Sequence, residues 1–337
     1  MKITHTEILI IGAGPAGCSV ARELKDEDVI LVDKNTLPRD KPCSGLLVEE
    51  SKAVLNSLGI PKSVFGNPPE LDLEHIDIDN GIDVIQKKAL GNTDRIKLDD
   101  WLASLIGKNV ELLQNTTVSK IEPHSDHVNV FILSDEGEQL ITAKKVVGAD
   151  GASSTTRRLL GIKPVPRYRT SQNFIKTTKQ IQNCKFIYWN ELTDWYSWVL
   201  PKEEGIIEVG GAFKLKTDND LALKRLMKHM EISGEIIKKA HWILSRPLKQ
   251  QDIYLGNGSN IFMVGEAAGF ISPSTGEGIS FGLRSGVILA RALSTKNIFS
   301  EYTTNIQQII NEIDRKITKA KTLSDQKHRP EVLNLMK

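Results

Sequence analysis

Cysteine is scarce in these 337 residues: Cys18, Cys43 and Cys184 are odd in number and far apart. That excludes a disulfide scaffold and fits a reducing, cytoplasmic compartment. The seven histidines are scattered, with no HxxxH or CxxC, so no metal site is legible. No run approaches the ~20 apolar residues that cross a bilayer. Met1 to Ile11 lacks the regions of a secretion signal. Neither sign of charge dominates, with 44 Lys+Arg against 42 Asp+Glu. Bulk attraction to nucleic acid or to an acidic membrane is therefore not expected. Internal repeats and low-complexity linkers are absent. What remains is ordinary globular composition, 40% apolar and 26% charged, long enough for two domains or one domain with a large insertion.

The first 33 residues read as strand, glycine turn, helix, strand. Glu7 to Ile11 and Val29 to Val32 are short apolar runs flanking Ala16 to Leu24, which has helical spacing. Such a βαβ start implies a parallel sheet. Leu37 to Gly45 reads as a loop, and Val48 to Leu58 as a helix stopped by Gly59. Leu71 to Val84 alternates about Asn80-Gly81, a strong hairpin signal. A helix is expected over Leu98 to Ile106, then short strands to Val147, then strands in Asn173 to Trp189 and Ile206 to Phe213. Ala222 to Ile232 reads as an amphipathic helix and Ile261 to Val264 as a last buried strand. Helices follow to Leu293 and over Ile306 to Leu323. Residues 1–65, 92–160 and 255–296 read as one nucleotide-binding domain split in sequence. Residues 66–91 and 161–254 form a second domain, and 297–337 a C-terminal helical segment.

Gly12-Ala13-Gly14-Pro15-Ala16-Gly17 has the form GxGxxG. Gly12 allows the tight turn out of the strand, Gly14 lets a pyrophosphate approach the backbone, and Gly17 lets helix and strand pack closely. The helix N-terminus then offers free N–H groups to phosphate. Asp33, 21 residues after Gly12 and followed by Lys34, ends the next strand, where a carboxylate can accept from ribose hydroxyls. This motif alone does not separate NAD from FAD.

Two further constellations do. Val146-Val147-Gly148-Ala149-Asp150-Gly151 leads into Ser154 and Arg157. Met263-Val264-Gly265-Glu266-Ala267-Ala268-Gly269 leads into Pro273 and Thr275-Gly276-Glu277-Gly278-Ile279. Together with the GxGxxG they resemble the FAD-dependent oxidoreductases of the p-hydroxybenzoate hydroxylase fold. Lys41-Pro42-Cys43-Ser44-Gly45 and Tyr196-Ser197-Trp198-Val199-Leu200-Pro201-Lys202 resemble the geranylgeranyl reductase branch of that fold. The combination looks most like the short CbrA-like bacterial flavoproteins. The resemblance implies an α/β fold: a Rossmann-like FAD-binding domain and a mixed β-sheet substrate domain. It places Gly12, Gly14, Pro15, Ala16, Gly17, Asp33, Lys34, Cys43, Ser44, Arg95, Thr117, Asp150, Gly265, Glu266, Gly276, Gly278 and Ile279 at the cofactor. Glu266 stands where that family usually has Asp. Arg95 with Leu98-Asp99 resembles the branch's RxxFD element.

Cys43, Tyr196 and Trp198 are the candidate catalytic residues. Tyr196 and Trp198 are two apart, so on a strand they share a face, with Pro201 ending the strand and Lys202 to Glu204 in a solvated turn. Core packing and cavity lining both account for the aromatic pair. The expected activity is reduction of C=C bonds in an isoprenoid or other hydrophobic substrate, by hydride transfer from reduced flavin. The alternatives are an FAD-dependent monooxygenase of a small hydrophobic or aromatic substrate and a non-enzymatic flavin-binding regulator. No second GxGxxG marks a nicotinamide domain, so the electron donor is NAD(P)H bound transiently or a reduced redox protein. The partner is a hydrophobic small molecule or lipid. Lys316, Lys319 and Lys321 on the last long helix read as a solvated face, with peripheral membrane contact as the alternative.

Overall fold

The computed structural model describes residues 2–336, and the apolar runs form the centre of its first sheet. Five parallel strands lie in the order Val110–Leu113, Val29–Val32, Lys2–Ile11, Gly137–Gly148, Ile261–Met263. Val29–Val32 and the end of Lys2–Ile11 are apolar throughout because both faces are buried: Ile8, Ile10, Val29 and Leu31 pack against helices, and Leu9, Ile11, Ile30 and Val32 against Val118, Val128 and Val130 of the antiparallel strands. Gly137–Gly148 pairs with Lys2–Ile11 along one edge and is long enough to serve two neighbours along the other. Its first half pairs antiparallel with Val128–Ser134, which in turn pairs with Thr117–Pro123, and its end pairs with Ile261–Met263. The helix Pro15–Glu23 crosses Ile279–Leu293 at close range. A Cβ on Gly286 would lie 2.7 Å from the Ala16 carbonyl oxygen, and the Ser19 hydroxyl donates to the Leu283 carbonyl at 2.8 Å.

The second sheet has eight strands: Glu235–Ser245, Arg167–Lys176, Ile206–Phe213, Ser197–Glu203, Cys184–Tyr188, Phe65–Asp77, Ile82–Thr93 and Leu46–Leu47, in spatial order. Only the pair Cys184–Tyr188 and Phe65–Asp77 is parallel. The Asn80-Gly81 hairpin is present, with Gly81 at φ +65°.

Two local expectations differ from the structure, and one strand lies where the sequence pattern predicts no element. Pro201 does not end its strand. Pairing with Ile206–Phe213 continues to Glu203 through a register shift after Pro201, which absorbs the missing N–H. Lys202 is not in a solvated turn, because its ammonium donates to the Ser44 carbonyl at 2.8 Å, Asn92 Oδ1 at 3.0 Å and the Thr93 carbonyl at 3.2 Å. Glu235–Ser245 is a strand where the sequence reading assigned no element.

Three helices complete the chain: Ile298–Asn305, Gln307–Ser324 and Arg329–Asn334. Gln307–Ser324 buries Ile309, Ile313 and Ile317 against the first core and Leu323 against the second. Arg329, only 1% exposed, donates to Asp77 at 2.7 Å and to the Leu323 carbonyl at 2.7 Å, so the last helix is locked to the second sheet. Among the described residues, no helix is long and apolar enough to cross a membrane.

Candidate active site

The turn after Lys2–Ile11 is built by three glycines that meet different surroundings. Gly12 has φ +107°, and a Cβ there would sit 2.7 Å from the Ala149 carbonyl oxygen. A Cβ on Gly17 would fall onto the Gly12 carbonyl. Gly17 does not line the cavity and serves the close approach of helix and turn. Around Gly14 there is room. The one atom a Cβ would meet is the tip of the Arg39 guanidinium, at 3.2 Å. The helix beginning at Pro15 has no side-chain cap, so its first N–H groups face this space.

Arg39 holds a positive charge at the same place. Its Nη1 donates to Asp33 Oδ2 at 2.5 Å, and its Nε lies 3.8 Å from Asp99. Both Arg39 Nε and Asp99 Oδ2 are buried without a hydrogen-bond partner. Asp33 is otherwise engaged with the Ala13 N–H at 2.8 Å and the Asn35 N–H at 2.9 Å. A ribose hydroxyl reaching Asp33 would therefore compete with Arg39 for its oxygens. Arg95 donates to Asp99 at 2.7 Å and stands beside the Cys43 thiol. Burial works against its charge, but Asp99 and Cys43 raise its pKa on balance.

The two later motifs converge on this cradle. Asp150 Oδ2 accepts from the Thr156 N–H at 2.8 Å and its hydroxyl at 3.0 Å, while the buried Oδ1 has no partner. Burial pushes the Asp150 carboxyl above its ordinary value. Ser154 caps the short helix Thr155–Leu159, and Arg157 clamps the Lys163, Ala267 and Asp252 carbonyls. Both are structural supports. Glu266 Oε1 accepts from the Ser245 N–H at 2.8 Å, so the longer side chain is anchored to the second sheet. Glu277 Oε1 accepts the Ser280 N–H at 2.6 Å and the Ser51 hydroxyl at 3.2 Å, which secures the start of Ile279–Leu293.

One cavity of about 530 Å³ runs from Gly14 to the second sheet. It brings together every cofactor and catalytic candidate except Gly17: Gly12, Pro15, Ala16, Asp33, Lys34, Ser44, Arg95, Thr117, Asp150, Gly265, Glu266, Gly276, Gly278 and Ile279 at one side, and Cys43, Tyr196 and Trp198 towards the other. Tyr196 stacks on Phe186 with centroids 4.5 Å apart, and its hydroxyl donates to the Thr275 carbonyl of the Gly-rich turn. Burial pushes the Tyr196 phenol well above its ordinary value. The Trp198 indole N–H donates to Glu208 Oε1 at 2.6 Å. Glu208 is fully buried, its second oxygen lacks a partner, and burial raises its pKa. Cys43 Sγ accepts from the Gly45 N–H at 3.4 Å.

Residues 5–214 match the FAD binding domain family. The chain belongs to that family. Protein CbrA of Escherichia coli O157:H7 is 32% identical over 333 residues, covering 95% of this chain and 94% of the relative. Among solved structures, a geranylgeranyl bacteriochlorophyll reductase-like protein from Thermoplasma acidophilum superposes with a TM-score of 0.87 at 18% identity, over 99% of this chain and 92% of that one. The p-nitrophenol 4-monooxygenase PnpA of Pseudomonas putida gives 0.69 at 17% identity, over 99% and 98%. At such identities the likeness is one of fold.

The cradle of this FAD-binding protein fits its cofactor. The open space at Gly14, the uncapped helix, the Arg39 charge and the orphaned Asp150 oxygen offer what a diphosphate and a ribityl chain require. Sequence reasoning missed Arg39, Trp242 and Leu244 and gave Lys41, the first residue of the Lys41–Gly45 motif, no role of its own; all four line the cavity. Lys41 lies 5.6 Å from the Trp242 ring centroid; burial pushes its pKa down and Glu266 opposes that shift. The sequence signal for Trp242 and Leu244 is weak, because Trp242-Ile243-Leu244 is a continuous apolar run that assigns neither residue to a face.

Proposed function

We propose that this flavoprotein reduces a C=C bond of an isoprenoid or similarly hydrophobic substrate. The observation that carries this reading is the position of the Tyr196–Trp198 face. It opens into the same cavity as the Gly276–Ile279 turn and is tied to that turn by the Tyr196–Thr275 hydrogen bond. The higher structural similarity to the geranylgeranyl reductase-like protein than to the nitrophenol monooxygenase favours the same direction.

FAD held in this cradle would supply two-electron hydride chemistry, with NAD(P)H or a reduced redox protein as the source of electrons. The chain's own work is orientation and exclusion of water. Phe186, Tyr196, Trp198 and Leu244 form a wall along which an apolar chain lies. Burial of such a chain contributes ~0.8 kcal/mol per CH₂. A proton must reach the second alkene carbon, and we assign its delivery to Cys43, which lines the cavity. The resulting half-reaction balances: hydride to one carbon, proton to the other.

The test combines two measurements on purified protein. NAD(P)H consumption is followed with and without oxygen, and co-purified lipid is extracted and weighed by mass spectrometry. Oxygen-independent consumption with a reduced lipid is expected. Oxygen-dependent consumption with a hydroxylated product would assign the protein to the monooxygenases instead.

A further inference from the structure

Beside the Tyr196–Trp198 face a buried amide points into the cavity with nothing to bond. Gln172, on the strand Arg167–Lys176, lines the cavity and is only 3% exposed. Among the described residues neither end of its amide has a hydrogen-bond partner. Three neighbouring polar groups are engaged. The Tyr196 hydroxyl donates to the Thr275 carbonyl, the Trp198 indole N–H to Glu208 at 2.6 Å, and the Thr170 hydroxyl to the Trp242 carbonyl at 3.3 Å. Strand register puts Gln172 level with Trp198, with Gly210 between them and Ala240 on the other side. A Cβ on Gly210 would lie 2.4 Å from the Trp198 ring, so the indole lies over Gly210, towards Gln172.

A buried amide is unfavourable unless something bonds it. Water can do so in the free cavity, but an apolar chain laid along the wall expels that water and leaves the amide unpaired. A wall shaped for hydrocarbon alone would carry leucine or methionine at this position. Hydride addition makes the complementary demand. It leaves an electron pair on the neighbouring alkene carbon, and the rings of Phe186, Tyr196 and Trp198 do not hold a negative charge. A carbonyl conjugated with the alkene takes that pair onto its oxygen, where an N–H donor stabilises it. We infer that Gln172 donates to the carbonyl oxygen of an α,β-unsaturated carbonyl carried on an apolar chain, and that the C=C bond reduced is the one conjugated with it. The inference rests on the reading that hydride is delivered to an alkene along this wall, and it names the substrate class. The step balances. Hydride from reduced FAD adds to the β-carbon, and the C=C pair moves through the α-carbon onto the carbonyl oxygen. A proton from Cys43 then adds at the α-carbon and restores the carbonyl.

The test compares FAD-loaded wild type with Gln172→Met, which keeps the length of the side chain and removes its polar atoms. Farnesal and farnesol share one carbon skeleton, and only farnesal has the conjugated carbonyl. Each is mixed anaerobically with chemically reduced protein, and flavin reoxidation is followed. Reoxidation by farnesal should slow on the order of a hundred-fold in Gln172→Met, as when one oxyanion donor is removed, while any reoxidation by farnesol changes by less than about two-fold. Isotope-edited infrared spectra of farnesal on the oxidised protein, where no turnover occurs, should show its carbonyl stretch lowered in the wild type and not in the variant. An unshifted stretch in the wild type would overturn the inference without need of a variant, and so would equal slowing with the two substrates. A Gln172→Met apoprotein that melts like the wild type but has lost affinity for FAD would assign the amide to the cofactor and overturn it as well. A lowered stretch in the wild type alone, with reduced flavin reoxidised by neither substrate, would uphold Gln172 as a carbonyl donor and overturn the reductase reading.

Discussion

Alanine at position 14 should separate folding from cofactor binding. The added methyl meets one atom, Arg39 Nη2 at 3.2 Å, which is the end of a flexible side chain. Gly14 has φ −85° and ψ −177°, a conformation alanine adopts without strain. Apoprotein stability should therefore change by less than about 1 kcal/mol. The same methyl stands in front of the helix N-terminus, where Pro15 has no N–H to give and the next free amides must reach the diphosphate. Losing two charge-assisted hydrogen bonds costs ~3–6 kcal/mol, or about two to four decades of affinity. Gly12→Ala is the contrast, because φ +107° and a carbonyl at 2.7 Å forbid the methyl in the apoprotein as well. Thermal melts of the apoprotein and flavin fluorescence titration read the two effects separately. Wild-type FAD affinity in Gly14→Ala would refute the placement of the diphosphate. A large drop in apoprotein melting temperature would refute the claim that the space is open.

Trp198→Phe should retain FAD but lose ~1–3 kcal/mol in urea denaturation, since the buried Glu208 keeps a carboxyl without its indole donor. Adding Glu208→Leu should recover much of that loss; no recovery would remove the Trp198–Glu208 bond from the account. Lys202→Met deletes three hydrogen bonds that hold the loop beside Cys43, so thiol-reagent labelling of Cys43 should accelerate in the folded protein, and the melting temperature should fall because the buried Asn92 Oδ1 loses its donor. An unchanged labelling rate would show that the loop is held by other contacts. His75 has a folded pKa of about 4 against 6.5 in the unfolded chain, so the unfolded state takes up the proton first as pH falls. Stability should be complete above pH 6.5 and decline towards pH 4, by ~2 kcal/mol at pH 5. His75→Asn should lack that share of the decline, measured as the difference between denaturation series at pH 7 and 5.

The cofactor cradle was legible because its physics is local. Three glycines at fixed spacing between a buried strand and a helix admit few other structures, and Gly12 and Gly17 meet the backbone atoms that this spacing requires. The aromatic face was half legible: spacing put Tyr196 and Trp198 on one side, but not their ties to Thr275 and Glu208, which come from distant turns and strands. Arg39 was not singled out because its meaning depends on Asp33 and Asp99, brought together only in the fold. The lysines of Gln307–Ser324 were read as a solvated face, which holds for Lys321. Lys316 and Lys319 instead border the cavity, because that helix bridges the two cores with its apolar side and presents its flank to the space between them.

The central claim is that reduced cofactor in this cradle delivers hydride to a carbon chain lying along the Tyr196–Trp198 wall. An anaerobic single turnover tests it most directly: FAD-loaded protein is reduced chemically, mixed with farnesal or with the lipid that co-purifies, and followed by flavin absorbance and product mass. The account predicts stoichiometric flavin reoxidation without oxygen and a product heavier by two hydrogens, both slowed strongly in Trp198→Ala that retains its FAD. Flavin that stays reduced until oxygen is admitted, with a product heavier by one oxygen atom, would contradict it.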